Sequence, residues 1–552
     1  MTETVAALAA EYHDFRRRTR PTSAHLEGDY RFADQFEDIS RTEEDREIAE
    51  ARDFARRARE IPERDLDAQE RITREMIDWD ATVRGDLLEC RLEEFSADPI
   101  HGPQALLAVY IGKAPLPTPE VADAMIPKFH GIATYYRQMA DRHREGAANG
   151  RTPARFAVTE TIAQLDALLS KPAEEDPLLE LGETVGVGRE AWLGMLREVV
   201  EDDIRPAMME LRDALRDDVL PVARSDERCG LVWLPDGEAV YERAIRLYTT
   251  LPLSAQEIHD IGLQQIESLA AEYRTLGPEV AGSDDLDTIL EALRSDPALH
   301  HTNAEDIVAA SKTALAKAKA AMGDWFGILP KADCDVEATN SGALAYYFPP
   351  PEDGSRGAVF FMNTGVPSDW GRYQIEATSY HEGIPGHHLQ IAIASELEGI
   401  PEFRKRAFIA AYGEGWGLYT ERLADEMGLY STPMDRVGML CADSMRACRL
   451  VVDTGMHALG WSRQQAIDYM VANSPMREGQ VRAEIDRYVT SPGQALAYMI
   501  GRLEIQRIRA EAEAALGDRF DIRAFHDAVV GSGCMPLPTL ERHVREWVTA
   551  PA

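Results

Sequence analysis

The segment TSYHEGIPGHHLQ, residues 378–390, gathers three histidines and a glutamate in one short stretch. A helix-borne zinc motif sets two histidines four residues apart, so that both reach one ion, and puts a glutamate beside the first to handle protons. Here the fourth position after His381 is Pro385, so that pairing cannot form. On an unbroken helix His387 would lie about 9 Å along and about 120° around from His381. His388 would share the face of His381 but sit about 10 Å away, so neither could share an ion with it. Pro385 removes a helical donor and clashes with the preceding turn, while Gly386 accepts backbone angles that other residues avoid. The pair predicts an interruption, a bulge absorbing two extra residues, that carries His387 into the place of the second ligand. His388 is the competing candidate. Glu382 keeps its place beside the first ligand, where it can act as general base toward a metal-activated water.

A mononuclear catalytic zinc takes three protein ligands and leaves one position open. The segment AAYGEGWGLYTERLADEMG, residues 410–428, offers Glu414 between glycines and Glu421 seven positions later on the same helical face. Glu414 is the preferred third ligand because its glycine neighbours let another backbone approach closely. Glu421 is left as a supporting or structural carboxylate. The expected metal content is one Zn2+ per chain, held by His381, His387 and Glu414.

Other polar side chains fall at useful spacings. Arg446, Arg449, Asp453 and His457 recur every three or four residues and can share one helix face. Two readings stand for the row: a clamp for a substrate carboxylate, with Arg446 and Arg449 binding and His457 assisting catalysis, or a buried ion-pair ladder. Tyr488 and Tyr498 flank the Pro-Gly turn of EIDRYVTSPGQALAYMIG. Either hydroxyl could stabilise an oxyanion in the reaction, and ordinary packing is the alternative for each. The run AVFFMNTG, with Asn363, reads as an edge strand able to align an extended peptide, or as plain sheet packing.

These residues need a large scaffold, and the chain supplies one. At 552 residues it exceeds the size at which one core stops growing, so two lobes with a sizeable buried interior are expected. Helical periodicity dominates, as in Thr42 to Phe95, where Ile48, Phe54, Ile61, Ile72, Met76 and Leu88 fall at inward positions. The β signal is confined to CDVEATNSGALAYYFPPPEDGSRGAVFFMNTG, with ALAYYF and AVFFMN joined by a Pro and Gly loop. The fold class expected is mainly α: a large two-lobed helical protein with a small antiparallel sheet next to the metal-binding helix. A helical region over 1–228 and a metal-binding catalytic region over 229–552 are the expected parts, with the border near SDERCGLVWLPDG.

Composition removes several classes of function. A net charge of −36 opposes a polyanionic backbone, so nucleic acid is excluded as a partner, and the acidic surface only weakly favours basic substrates. No apolar run approaches the length of a membrane span, and the start MTETVAALAAEYHDF lacks the basic leader of an export signal, so no membrane partner and a cytoplasmic location are expected. Six scattered cysteines with no C-x-x-C pair read as reduced thiols.

The blocks HEGIPGHHLQ, GEGWGLYTERL, RLVVDTGMH and SPGQALAYMIG, in this order, resemble the bacterial family called domain of unknown function 885, whose mark is a His-Glu-x-x-Pro-Gly-His segment. The likeness runs from about Cys229 to the C-terminus and is weaker before it. It implies a helical, cleft-bearing fold near the gluzincin metallopeptidases, with zinc on His381, His387 and Glu414. The expected function is a zinc metallopeptidase acting on short peptides, with Glu382 as general base. A zinc amidohydrolase on a non-peptide amide and an inactive ligand-binding relative are the alternatives. Oligomeric state is not legible.

Overall fold

The computed structural model describes residues 3–183, 188–350 and 357–550. The fold is mainly α with one small sheet, as expected. Among the described residues no helix is long and apolar enough to cross a membrane. Two compact units are present: Met1–Ile61 with Ile77–Arg243 and Met456–Gln464, and Pro62–Met76 with Ala244–Gly455 and Gln465–Ala552.

The first unit is helical. Its core joins Phe129, Ile132 and Tyr136 of the helix Met125–Ala148 to Trp192, Leu196, Leu211 and Leu215. Of the positions read as inward, Phe54, Ile61, Ile72 and Met76 are buried, the last two in the second unit, while Ile48 and Leu88 are half-buried.

The second unit holds the sheet and the motif segments. Strands β1 (Cys334–Thr339), β2 (Ala345–Phe348) and β3 (Ala358–Asn363) lie in the order β1-β3-β2. The expected antiparallel pair is present as β2 and β3, with Tyr347 opposite Phe360. A third strand, β1, joins β3 in parallel from Cys334↔Ala358 to Thr339↔Asn363, so the sheet is mixed. Of the Pro and Gly loop between β2 and β3, residues 351–356 lie outside the described residues. Phe360 and Met362 are buried against Ile307, Leu315, Val336, Trp370 and Ile375, which seats the sheet on the helices Ala304–Trp325 and Gln374–Glu382. The sheet therefore does stand beside the motif helix.

Three long helices frame that arrangement: Ala410–Glu426, Pro433–His457 and Ala497–Leu516. The first and third cross in backbone contact, since a Cβ on Gly415 would stand 2.5 Å from Gly501 and one on Gly501 would stand 1.9 Å from Ala411 O. Buried Asp443 joins all three by accepting from Arg422 Nε at 2.5 Å and Arg502 Nη1 at 2.6 Å. All six cysteines are free thiols.

Candidate metal centre

The motif segment is two helices. The first, Gln374–Glu382, ends at Glu382, and the second, His387–Glu396, begins at His387. The expected bulge is thus a full break. The chain leaves the helix through Gly383–Gly386 and re-enters with His388 N–H donating to Gly383 O at 3.0 Å and Gln390 N–H to Gly386 O at 3.3 Å. A Cβ on Gly386 would lie 1.9 Å from His381 O, so only glycine lets the second helix start this close to the first. Surrounding groups fix both pieces: Tyr380 Oη donates to Leu429 O at 2.9 Å, Trp416 Nε1 to Pro385 O at 2.9 Å, and Thr420 Oγ1 to Tyr380 O at 3.3 Å.

The break turns two imidazoles toward one carboxylate. His381 Nε2 lies 3.5 Å and His387 Nε2 3.3 Å from Glu414 Oε2, with the two rings 4.7 Å apart and nearly perpendicular. Among the described residues, these three form the group of side chains able to hold a metal ion. The spacing fits zinc. Ligands about 2.0–2.1 Å from a tetrahedral ion lie about 3.3 Å from one another, close to the separation of each histidine from Glu414 Oε2.

The outer partners suit the same task. His381 Nδ1 meets Glu421 Oε1 at 2.8 Å, and Glu421 is 1% exposed. A carboxylate there fixes the tautomer that presents Nε2 inward. Gln390 lies 2.9 Å from His387 Nδ1 and donates to Gly413 O at 3.2 Å, orienting the second ring. Gly417 sits against the first ring, where a Cβ would stand 2.7 Å from Cε1, 2.8 Å from Nε2 and 3.0 Å from Nδ1 of His381. Burial disfavours a charged His381, but hydrogen bonds to Glu414 and Glu421 and the nearby charges of Glu421 and Glu382 outweigh it, raising its pKa to about 9. Burial likewise disfavours an ionised Glu414, yet the two histidines hold its pKa well below the usual carboxylate range.

Glu382, the last residue of the first helix, is half-buried beside this group. His388 turns away from it. Its Nδ1 faces Tyr347 Oη at 3.2 Å and its Nε2 faces Ala332 O at 3.0 Å, and the ring lines a separate cavity of about 290 Å³ with Leu315, Met322, Cys334, Val336 and Ile384.

The remaining expected site residues divide. Tyr498 is half-buried, and its hydroxyl is raised in pKa by burial first and by the charge of Glu414 second. Arg446 reaches the centre indirectly, with Nη2 3.8 Å from Glu421 Oε1. Arg449 stacks on Tyr498, its Cζ 4.5 Å from the ring centroid. Three residues are not brought to the cluster. Tyr488 is fully buried, and its hydroxyl accepts from Arg449 Nε at 2.7 Å and donates to Glu484 at 2.5 Å, so it has no proton to offer a substrate. His457 lies in the first unit, where its Nδ1 accepts from Leu231 N–H at 3.1 Å and its ring packs on Tyr241. Asn363 closes a local turn, donating to Gly342 O at 3.0 Å and accepting from Gly365 N–H at 3.1 Å. Its strand β3 is central, paired on both sides, so it has no free edge for a peptide. Gln390, Glu484 and Arg487 were not singled out from the sequence. Gln390 falls three residues after His387, and Glu484 four before Tyr488 and three before Arg487, and those spacings were the available signal.

The family described as "Bacterial protein of unknown function (DUF885)" matches residues 21–544. No curated protein matches the chain. Among solved structures, one described as "the putative lipoprotein from Colwellia psychrerythraea" is similar over 99% of this chain and 98% of its own, at 25% identity and a TM-score of 0.89. Another, "a putative lipoprotein of unknown function from Shewanella oneidensis", is similar over 98% of this chain and 99% of its own, at 17% identity and a TM-score of 0.78, a likeness of fold alone.

Proposed function

The chain belongs to the bacterial family of unknown function DUF885, and within that family we propose that it is a zinc-dependent metallopeptidase acting on short peptides. The observation that supports this most is the convergence of His381 Nε2 and His387 Nε2 on a single oxygen of Glu414 at 3.5 and 3.3 Å. Two neutral donors and one carboxylate form a common catalytic zinc set with one position left open.

Zinc bound there would supply Lewis acidity, acidifying a water and polarising a carbonyl. The protein's part is to hold and move protons around it. Glu382, adjacent to the first ligand, takes the proton of the attacking water and returns it to the leaving nitrogen. Glu421 holds the ring of His381 through Nδ1, keeping Nε2 aimed inward. Tyr498 keeps its hydroxyl proton, because burial and the Glu414 charge raise its pKa, and so serves as a donor to a developing oxyanion.

The reading is tested by offering di- to octapeptides to the zinc-loaded protein and to its Glu382→Gln variant. The parent should hydrolyse amides, and the variant should retain zinc yet be at least about 100-fold slower. Hydrolysis of no amide by the parent, or equal rates in both, would overturn it.

A further inference from the structure

Next to the metal-ligand cluster, guanidinium groups outnumber the carboxylate that joins them. Arg449 donates from Nε to Tyr488 Oη at 2.7 Å and from Nη2 to Glu484 Oε2 at 2.8 Å. Arg487 donates from Nη2 to the same Glu484 oxygen at 2.9 Å and from Nη1 to Gln494 Oε1 at 2.6 Å. Two arginines thus share one carboxylate. Asp453, on the same helix as Arg449, accepts from Gly493 N–H. Arg449 is only 6% exposed, and its Nη1, wholly shielded from water, has no hydrogen-bond partner. An orphaned guanidinium nitrogen in the interior is costly until an acceptor reaches it.

Contacts lead from this nitrogen to the metal ligands. The guanidinium of Arg449 stacks on the ring of Tyr498 at 4.5 Å, and that of Arg446 lies 5.7 Å from the same ring. Arg446 is 3.8 Å from Glu421, the carboxylate that holds His381. Tyr498 lies one helical turn before Gly501, and Glu414 directly precedes Gly415, the two glycines at which their helices cross. A small anion with a planar fork would satisfy Arg449 there. Glu421, 3.8 Å from Arg446, already brings negative charge to these side chains, which disfavours a multiply charged phosphate and favours a single carboxylate.

We infer that Arg449, with Arg446 and Tyr498, forms a carboxylate-binding subsite beside the metal centre, so that the preferred substrates are short peptides carrying a free carboxylate close to the scissile bond. The inference rests on the peptidase reading for its substrate class and on geometry for its anion. The carboxylate is either the peptide's C-terminus or an acidic side chain.

The test is calorimetric binding to the Glu382→Gln protein, zinc-loaded and zinc-free, of three probes: N-acetyl-Ala-Ala as the free acid, the same peptide as its C-terminal amide, and N-acetyl-Asp-Ala amide. The free acid should bind at least about tenfold more tightly than the Ala-Ala amide in both metal states, and Arg449→Gln should erase that difference. If the Asp-bearing amide alone gains, the subsite stands and the side chain is its source. Acid and both amides binding within twofold of one another, a preference present only with zinc, or no binding of any probe at millimolar concentration would overturn the subsite. Because Arg449 is buried and its variant can unfold, the acid-to-amide ratio on the intact subsite carries the test by itself. Acid preference without hydrolysis by the parent would keep the subsite and sink the peptidase reading. Equal hydrolysis of the acid and both amides would do the reverse.

Discussion

Replacing Gly417 by alanine should damage metal binding although residue 417 donates no ligand atom. The new Cβ would stand 2.7 Å from Cε1 and 2.8 Å from Nε2 of His381, whereas ordinary contact begins at 3.4 Å. One of the two must give way by 3.4 minus 2.7, or 0.7 Å. The helix carrying Gly417 cannot retreat easily, because Trp416 and Thr420 on either side are hydrogen-bonded to the motif backbone and Gly415 is in contact with Gly501. The ring must move, and a metal site tolerates only about 0.2 Å in its ligand distances. Disturbing the setting of a ligand costs roughly 10–100-fold in metal affinity, and a displacement several times the tolerance should fall at the upper end, near 100-fold. Competition for zinc with a chromophoric chelator measures this, with circular dichroism to confirm that the helices persist. A folded Gly417→Ala protein that binds zinc within threefold of the parent would refute the reasoning.

Glu421→Gln should weaken zinc about 10–100-fold, measured in the same competition, because it removes the charge that holds His381 Nδ1 at 2.8 Å. With its pKa raised to about 9, His381 carries a proton at pH 7 in the metal-free protein, so zinc uptake must expel it. Affinity should therefore rise roughly tenfold per pH unit and level off near pH 9, with about one proton released at pH 7, read from the dependence of binding enthalpy on buffer. The same charge stabilises the metal-free fold fully below its ordinary value of 6.5 and is lost as pH climbs through about 9, so denaturant midpoints of metal-free protein should fall across that window. Gly323→Ala is the benign counterpart of Gly417→Ala: nothing lies within 4 Å of its Cβ in the helix Ala304–Trp325, and chemical denaturation should show a gain of about 0.4–1 kcal/mol.

The parts of the fold legible in the sequence were those set by local chemistry. Pro385 cannot continue a helix, so a break between His381 and His387 followed from one residue, and the glycines around Glu414 announced close packing before any neighbour was known. Inward positions such as Phe54 and Ile72 followed from period alone. What stayed hidden depends on partners far away in the chain. Strand β1, CDVEAT, is charged and buries only Val336 well, so nothing in it announces a parallel partner, and the central place of β3 could not be read from β3 itself. Tyr488 and Tyr498 looked alike as sequence. The contact of Tyr488 with Arg449 and Glu484 sets them apart, and that pairing spans 39 residues between Arg449 and Tyr488. His457 shared the spacing of Arg449 and Asp453, yet spacing along a helix says nothing about what each side chain meets.

The central claim is that His381, His387 and Glu414 together hold one zinc ion, with His388 excluded by its engagement with Tyr347 and Ala332. Equilibrium dialysis against zinc, followed by metal analysis of the parent, His387→Ala and His388→Ala, tests it most directly. The account requires one zinc per chain in the parent and in His388→Ala, and none retained tightly by His387→Ala. A parent that takes up no zinc, or retention by His387→Ala with loss in His388→Ala, would contradict it.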